Sequence, residues 1–241
     1  MIHHHPSTNL LAEYSAGATG IAESLAIATH LHYCSECRQQ VKAMQQVGGN
    51  FFDSAERLGV SDEALTSLFE KIDLIESQQR HEHCHSLASA LPQNSASTNA
   101  IITNKRHHQP ALASLPPVIA KLVGNPSKLR WKMLSPSLKV AHLKTGQTRC
   151  EVSLIKIRAG GKVMEHDHGG NEFTVVLNGA FSDANGVYKE GDFLHKVPGE
   201  SHSPNATANA NCVCLTVSDA PIKFTGFIGK LLNPFLTLQP G

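Results

Sequence analysis

The sequence predicts an α+β fold in which a small four-helix domain is joined by a linker to a C-terminal β-barrel. Three stretches of the 241-residue chain support this prediction. Apolar residues recur at helical spacing up to about residue 84, this periodicity is lost after residue 86, and short β-branched runs begin near residue 128. We therefore expect a helical domain at residues 1–85, a flexible linker at 86–110 and a β-barrel domain at 111–241.

Four helices are expected in the first domain. Ser7 can cap the first helix and Gly17 can end it. The second runs from about residue 21 to 32, and the third from about residue 35 to the Gly48-Gly49 pair. Ser61 can cap the fourth, which carries a stripe of large apolar residues: Leu65, Leu68, Phe69, Ile72 and Ile75. The stripe suits internal packing and a partner surface about equally well.

The second domain is expected to be built from short strands. The runs "CEVSLIKIRAG", "EFTVVLNGAFSD", "VYKEGDFLHKVPG" and "CVCLTVSD" alternate in polarity or are β-branched, and turn residues separate them. Several such strands at close spacing indicate a sandwich or a barrel.

Composition and charge exclude several classes of protein. With 41% hydrophobic residues and a formal net charge of +1, the chain is neither disordered nor basic enough to favour direct nucleic-acid binding. It lacks an apolar run of the roughly 20 residues that span a bilayer, and its N-terminus lacks the apolar core of a signal peptide. We expect a cytoplasmic protein without membrane contact, whose six cysteines serve as thiols or metal ligands.

The segment "THLHYCSECR" suggests a first metal site. His30, Cys34 and Cys37 are spaced so that two thiolates and one imidazole can face a single ion. The run His3–His5 can supply a fourth ligand, and two thiolates with two neutral imidazoles would balance the charge of Zn²⁺. A redox-active CxxC, a helix with chance residues, or a frayed or tag-derived histidine run are the alternatives.

The segment "GGKVMEHDHGGNEFTVVLNG" suggests a second site. On a strand, His166 and His168 point the same way, Glu172 follows, and His202 of "PGESHSP" can add a third imidazole. This ligand set suits Zn²⁺ or another divalent transition metal. The spacing matches the first cupin motif in full. The second motif departs from the pattern by one extra residue before Pro198 and by the lack of an asparagine after His202.

Two further groups of metal-binding residue types are less telling. Cys212 and Cys214 face one side of a strand, where they suit either oxidation targets or buried packing residues, the latter more often. The tract "RHEHCHS" at residues 80–86 lies at the edge of the linker and is interpreted as solvated.

Taken together, "HHPSTNLLAEYSAG", "IATHLHYCSECRQQVKAMQQVGG" and "NCVCLTVSDAPIKFTGFIGKLLNPF" resemble the ChrR-type zinc-binding anti-sigma factors. The resemblance implies that His5 joins His30, Cys34 and Cys37 around zinc, while His32 is a surface residue. It also implies that the helical domain holds an extracytoplasmic-function (group IV) sigma factor between its first three helices and its fourth. The cupin domain would then be a regulatory module that responds to singlet oxygen or organic hydroperoxide, and not an enzyme.

Two other functions stay open at this point. The same cupin ligands support metal-dependent dioxygenases and isomerases, and fold alone does not decide between enzyme and regulator. A metal-sensing regulator, in which zinc occupancy is itself the signal, is the second alternative.

Overall fold

The computed structural model describes residues 2–56, 59–88, 115–226 and 237–240. Contacts divide the chain into two units, of which one comprises Met1–Asn50 with His108–Gly241 and the other Phe51–His107. The predicted boundaries at residues 85 and 110 stay a prediction. In the structure, however, the first fifty residues belong to the same unit as the C-terminal half.

Five α-helices and one 3₁₀ turn are present in the described parts of the chain. The helices are α1 (Thr8–Ser15), α2 (Ile21–Tyr33), α3 (Ser35–Ser54), α4 (Asp62–Ala88) and α5 (Pro117–Val123), and the 3₁₀ turn is Pro126–Lys128. The predicted N-caps are confirmed, because Ser7 accepts from the Leu10 amide and Ser61 from the Ala64 amide. Most of the predicted linker, residues 89–110, lies outside the described residues. No described helix has the length and apolar character of a membrane span.

Two helices differ from the expectation. The predicted stop of α3 at Gly48-Gly49 is wrong, because the helix continues to Ser54. Neither glycine adopts the positive φ that ends a helix. The pair therefore lowers the helix propensity of this segment without ending the helix. Helix α5 is an element that the periodicity did not predict. It is a short helix begun by Pro117, with Ile119 fully buried.

Twelve strands are present in the described residues of the C-terminal half. They are β1 (Lys132–Ser135), β2 (Leu138–His142), β3 (Glu151–Ile157), β4 (His166–His168), β5 (Glu172–Asn178), β6 (Ala180–Asp183), β7 (Gly186–Lys189), β8 (Phe193–Lys196), β9 (Ser201–His202), β10 (Asn205–Ala206), β11 (Cys212–Ser218) and β12 (Ile222–Phe224). They form a six-stranded sheet in the order β1-β2-β3-β11-β5-β8 and two three-stranded sheets, β10-β6-β7 and β12-β4-β9. Neighbouring strands in the described sheets are antiparallel, which is the arrangement of a cupin-like barrel.

Helices and barrel in the first unit share one apolar core. Helix α2 packs against β5, β11 and α5, with Ala22, Ala26 and Ile27 buried. Small alanine side chains let the helix approach the sheet closely, and each fully buried large side chain contributes about 1.5–3 kcal/mol. The same cluster holds Leu11 and Val41 of the helical region with strand residues such as Val175 and Leu215. Helix α2 therefore packs directly on the barrel, and Leu11 of α1 and Val41 of α3 join the same apolar core.

Four glycines of the cupin motif, Gly160, Gly179, Gly191 and Gly199, adopt positive φ angles of 66° to 88°. At Gly179 a side chain would also collide with the backbone of Asn211. The glycines of the motif thus mark turns that only glycine makes without strain.

Candidate metal centres

The N-terminal centre brings together the donor atoms of His5, His30, Cys34 and Cys37. These atoms all lie within 4.8 Å of one another. His5 Nδ1 is 3.4 Å from Cys34 Sγ and 3.3 Å from Cys37 Sγ. A tetrahedral zinc ion, with Zn–S near 2.3 Å and Zn–N near 2.0 Å, sets such donors about 3.6 Å apart. The donor set and its spacing therefore fit a structural zinc ion.

Local structure explains how the chain presents these four residues. His30 lies in the last turn of α2, Cys34 is the C-cap of that helix, and Cys37 is in the first turn of α3. The tight connection directs the Cys37 amide at Cys34 Sγ, at 3.4 Å, so a thiolate at Cys34 would accept a hydrogen bond. His5 enters from the extended segment before α1.

The His30 ring is fixed by the barrel. Its Nδ1 lies 2.7 Å from the carbonyl oxygen of Gly191, which can only accept, so Nδ1 carries the proton. The other nitrogen, Nε2, is buried without a hydrogen-bond partner. A buried, unprotonated nitrogen aimed into a group of thiols is what a metal ligand requires. Burial lowers the pKa of His30 to about 4, which keeps the ring neutral near pH 7.

The segment before α1 is also held by the barrel. The amides of His3 and His4 both donate to Asp192 Oδ1, at 2.9 Å and 3.1 Å, and the Phe193 amide donates to the His4 carbonyl at 2.9 Å. Asp192 is itself 1% exposed. His5 is therefore part of an ordered strand-like segment, which argues against the frayed-terminus alternative. His32 is exposed and takes no part in the cluster, as expected.

The barrel centre brings together His166, His168 and His202, whose donor atoms lie within 4.8 Å of one another. His166 and His168 come from β4, and His202 of β9 is the direct register partner of His166. The Nε2 atoms of His166 and His202 are 3.0 Å apart. Strand β4 buries both histidines and leaves Asp167 between them partly exposed, so the prediction that they face one side is confirmed.

Each imidazole of the barrel centre is oriented through its Nδ1 atom. His166 donates to the Met164 carbonyl at 2.9 Å, His168 to the Glu200 carbonyl at 2.6 Å, and His202 faces Asp183 Oδ2 at 3.3 Å. Three Nε2 atoms thus converge with their lone pairs free, and that of His168 is buried without a hydrogen-bond partner. Such outer hydrogen bonds are the usual support of metal-bound histidines.

Glu172 lies beside the three imidazoles, but its carboxylate is not among the donors that lie within 4.8 Å of one another. Its Oε1 is 3.6 Å from His168 Nε2, and it accepts from Thr174 at 3.1 Å and Ser218 at 3.4 Å. Burial alone would raise its pKa, but the proximity of His168 and the other two imidazoles lowers the pKa to about 2. The carboxylate is therefore ionised at neutral pH. Its coordination of a metal, like that of the other seven predicted ligands, stays a prediction.

A cavity of about 200 Å³ opens next to the barrel centre. Its lining includes His166, Glu172 and His202, and its walls are mostly apolar. Cys214 also lines this space, and its sulfur is 3.6 Å from that of Cys212. The hydrogen bond with Cys212 and, to a smaller extent, burial raise the pKa of the Cys214 thiol well above its usual value. The thiol is therefore protonated at neutral pH. The side chains of the tract at residues 80–86 lie outside the described residues.

Sequence patterns missed the residues that orient the ligands. Asp183 and Asp192 lie in turn-rich stretches, "SDANG" and "EGDF", where an acidic residue usually means a turn. Asp192 binds amides 188 and 189 residues earlier, and Asp183 faces His202, 19 residues later. No local spacing could have revealed these contacts.

Comparisons with known proteins show similarity over nearly the whole chain. Residues 120–221 match the model of the ChrR Cupin-like domain. The chain is 31% identical over 238 residues to the anti-sigma-E factor ChrR of Cereibacter sphaeroides, covering 98% of this chain and 99% of that protein. It also matches a chain from the crystal structure of Rhodobacter sphaeroides SigE in complex with the anti-sigma ChrR. That match has a TM-score of 0.68 and 29% identity, and covers 91% of this chain and 100% of that chain. Similarity at this level over nearly the whole length shows that this chain belongs to the ChrR family of anti-sigma factors.

Proposed function

We propose that this protein is an anti-sigma factor that binds an extracytoplasmic-function (group IV) sigma factor in the cytoplasm and releases it under oxidative stress. The observation that carries the proposal is the full-length similarity to a protein that was crystallised with SigE. In this proposal the helical region binds the sigma factor, and the cupin barrel senses singlet oxygen or an organic hydroperoxide. Binding would keep the sigma factor from RNA polymerase.

An exposed apolar surface supports the proposal. The stripe on α4 comprises five large apolar residues that are 39% to 55% exposed: Leu65, Leu68, Phe69, Ile72 and Ile75. On α3, Phe51 and Phe52 are 72% and 86% exposed. Full burial of such a side chain contributes about 1.5–3 kcal/mol, and these partly exposed residues forgo a share of it. Clustered exposure of this kind is typical of a protein-binding surface. The balance between internal packing and a partner role thus moves toward a partner.

The two metal centres would have different tasks. We assign Zn²⁺ to His5, His30, Cys34 and Cys37, where a closed four-ligand site with balanced charge would be structural. The barrel site would hold Zn²⁺ or another divalent transition metal on His166, His168, His202 and Glu172. When bound, that metal would offer a Lewis-acidic position at the cavity, while the protein's own Nδ1 hydrogen bonds keep the three rings aimed at it.

Co-expression with a candidate group IV sigma factor tests the proposal. We expect a one-to-one complex that carries two metals per chain, at least one of them zinc, and that blocks sigma-dependent transcription in vitro. Treatment with an organic hydroperoxide should then restore transcription. A chain that never retains any group IV sigma factor from its own organism would contradict the proposal.

A metal-dependent dioxygenase or isomerase is the second candidate, because the apolar cavity adjoins the three imidazoles. Such an enzyme would take a small, largely apolar substrate with an oxygen donor for the metal. Oxygen uptake or isomerisation by the metal-loaded chain alone, lost in His166→Ala, would favour this candidate.

A further inference from the structure

We propose that Asp183 and Tyr188 couple the two metal centres by joining the barrel ligand His202 to the segment that carries His5. The inference rests on the proposed function, because it concerns how a change at the barrel would reach the helical region. Asp183 and Tyr188 act as positioning residues and bind no metal themselves. Together they are called the Asp183–Tyr188 bridge.

The bridge begins at His202. The Nε2 atom of this ring faces the barrel centre, and its Nδ1 atom lies 3.3 Å from Asp183 Oδ2. The Asp183 side chain is fully buried, so no water competes for that oxygen. A buried carboxylate that accepts the Nδ1 proton leaves the Nε2 lone pair free for a metal and fixes the ring plane. The position of Asp183 therefore depends on the state of the barrel centre.

The second oxygen of Asp183 connects to β7. Tyr188 donates its hydroxyl proton to Asp183 Oδ1 at 3.2 Å, and the Asn185 amide donates to the same oxygen at 2.8 Å. Tyr188 is 5% exposed. A shift of the Asp183 carboxylate would leave the buried hydroxyl of Tyr188 without an acceptor, at a cost of about 1–3 kcal/mol. The two side chains are therefore expected to move together.

The ring of Tyr188 reaches the N-terminal segment. Its centroid is 4.6 Å from that of the His4 imidazole, with the planes tilted by 54°. His4 precedes the zinc ligand His5 directly and is held by Asp192 and the Phe193 amide. Three consecutive contacts thus lead from a ligand of one centre to the neighbour of a ligand of the other.

The turn between β7 and β8 adds a second attachment. Gly191 accepts from the Nδ1 of His30, and Asp192 binds the amides of His3 and His4. Asp192 Oδ2 also accepts from the amide of Lys189, the residue after Tyr188. Strand β7 and its following turn therefore support both chain segments that supply imidazoles to the N-terminal centre. Loss of the barrel metal would free His202, loosen the bridge and weaken the hold on zinc.

The test measures zinc transfer from the purified full-length chain to a chromogenic chelator, without any sigma factor. His166→Ala empties the barrel centre, as checked by metal analysis. We expect it to speed zinc transfer from the N-terminal centre about tenfold, the lower end of what loss of outer support costs a metal site. In a Tyr188→Phe background, which keeps the ring and removes the hydroxyl, His166→Ala should change the rate less than about twofold.

Tyr33→Phe is the matched control. It removes a hydroxyl that donates to the Leu177 carbonyl at 3.3 Å, close to the zinc ligands but outside the bridge. In this background the tenfold effect of His166→Ala should persist. If Tyr188→Phe does not fold, the near-isosteric Asp183→Asn takes its place with the same expected result.

Three results would overturn the coupling. The first is an unchanged zinc-transfer rate in His166→Ala. The second is an equal effect of His166→Ala in the wild-type and Tyr188→Phe backgrounds. The third is loss of the His166→Ala effect in the Tyr33→Phe background. Sigma binding is measured separately on the same proteins. A chain that binds no sigma factor yet shows the coupling would refute the proposed function alone.

Discussion

At the scale of single residues, the tautomer of His30 decides which nitrogen can bind a metal. The Gly191 carbonyl holds the proton on Nδ1 and leaves Nε2 buried beside the thiols. His32, two residues on, has the same side chain but is exposed. The difference between the two histidines therefore lies in burial and in the acceptor, and not in residue type.

His30→Ala is accordingly expected to remove zinc from the N-terminal centre. Removal of a residue that hydrogen-bonds a metal ligand lowers metal affinity about 10–100-fold. Because His30→Ala deletes a ligand itself, the loss in zinc affinity should be larger. Metal analysis should show one zinc fewer per chain, and the melting temperature should fall. His32→Ala is the control and should leave both quantities unchanged. Full zinc content in His30→Ala would contradict the assigned ligand set.

The thiol of Cys37 makes zinc binding depend on pH. Without a bound metal, the pKa of the Cys37 thiol is raised to about 12. Burial is the largest cause, and the hydrogen bond and charge of Cys34 add to it. Zinc binds the thiolate, so binding near pH 7 displaces this proton, and the apparent affinity should rise about tenfold per pH unit for each proton displaced. His30, with a pKa of about 4, stays neutral until the pH approaches that value.

Competition titrations with a chelator of known affinity, from about pH 6 to about pH 8, check this prediction. The sign is fixed: zinc is held more tightly as the pH rises, and acidification releases it through protonation of thiolates well before His30 is protonated. Calorimetry in buffers of different ionisation enthalpy should show proton release on binding. A zinc affinity that does not change with pH would mean that the thiol already loses its proton in the metal-free protein.

The predicted ligands and the missed residues differ in what local spacing can encode. The CxxC turn and the alternation of His166 and His168 place donors on one side by backbone geometry alone, so the sequence predicted both groups. Asp183, Asp192 and the Gly191 carbonyl act through contacts between distant parts of the chain. Their roles follow from tertiary packing, and no pattern within a short segment carries that information.

At the scale of elements, helix α4 exposes an apolar stripe of Leu65, Leu68, Phe69, Ile72 and Ile75. Phe69→Glu places a charge within the stripe and should weaken sigma binding by about 2 kcal/mol or more, as expected for a central apolar contact. Ser67→Glu adds the same charge on the opposite side of the helix and should have little effect. Binding to the immobilised sigma factor measures both. Equal losses in the two variants would exclude the stripe as the contact surface.

Gly191, in the turn between β7 and β8, and Gly199, in the turn between β8 and β9, form a pair for a matched test. Gly191 and Gly199 both adopt φ of 88°, so alanine is strained at either position by about 1–2 kcal/mol. At Gly191 a Cβ would also lie 2.7 Å from the side chains of Ile2 and Tyr33, whereas at Gly199 it meets nothing within 4 Å. Gly191→Ala should therefore disturb the segments that carry the proposed zinc ligands, and Gly199→Ala should not.

Zinc transfer to a chelator and thermal unfolding distinguish the two glycine variants. Both should lower the melting temperature by a similar backbone contribution. Only Gly191→Ala should in addition speed zinc transfer from the N-terminal centre. Equal zinc-transfer rates in the two variants would show that the contact of Ile2 and Tyr33 with this turn does not support the zinc site.

The elements themselves were largely predictable, and their partners were not. Helical spacing and caps located α1, α2 and α4, and alternation or β-branching located strands such as β3, β5 and β11. The short strands β4 and β9, which carry the three histidines, were expected from the cupin motif. The apolar face of α2, with Ala22, Ala26 and Ile27, was visible in the sequence, but whether it packs on other helices or on a sheet depends on shape complementarity. The end of α3 was missed because glycine permits a helix as well as ending one.

At the scale of the whole molecule, the packing of α2 on the barrel, in a core that it shares with α1 and α3, changes what a truncation should do. A chain that ends at residue 110 loses the strands that cover α2, together with the acceptor for His30 and the carboxylate for His3 and His4. Apolar residues such as Ile27, fully buried in the intact chain, would face water. Removing the barrel is therefore not a neutral deletion.

We expect the chain truncated at residue 110 to keep one zinc per molecule, to release it faster and to melt at a lower temperature than the full chain. Because the exposed stripe of α4 remains, it should still bind the sigma factor, although without any response to oxidant. The full-length His166→Ala variant separates the two effects, since it retains the helix–barrel packing and lacks only the barrel metal. It should bind the sigma factor as tightly as the wild type and also fail to respond. If the truncated chain matched the full chain in melting temperature and in zinc release, the helices would be stable without the barrel, and the shared core would contribute nothing to the hold on zinc.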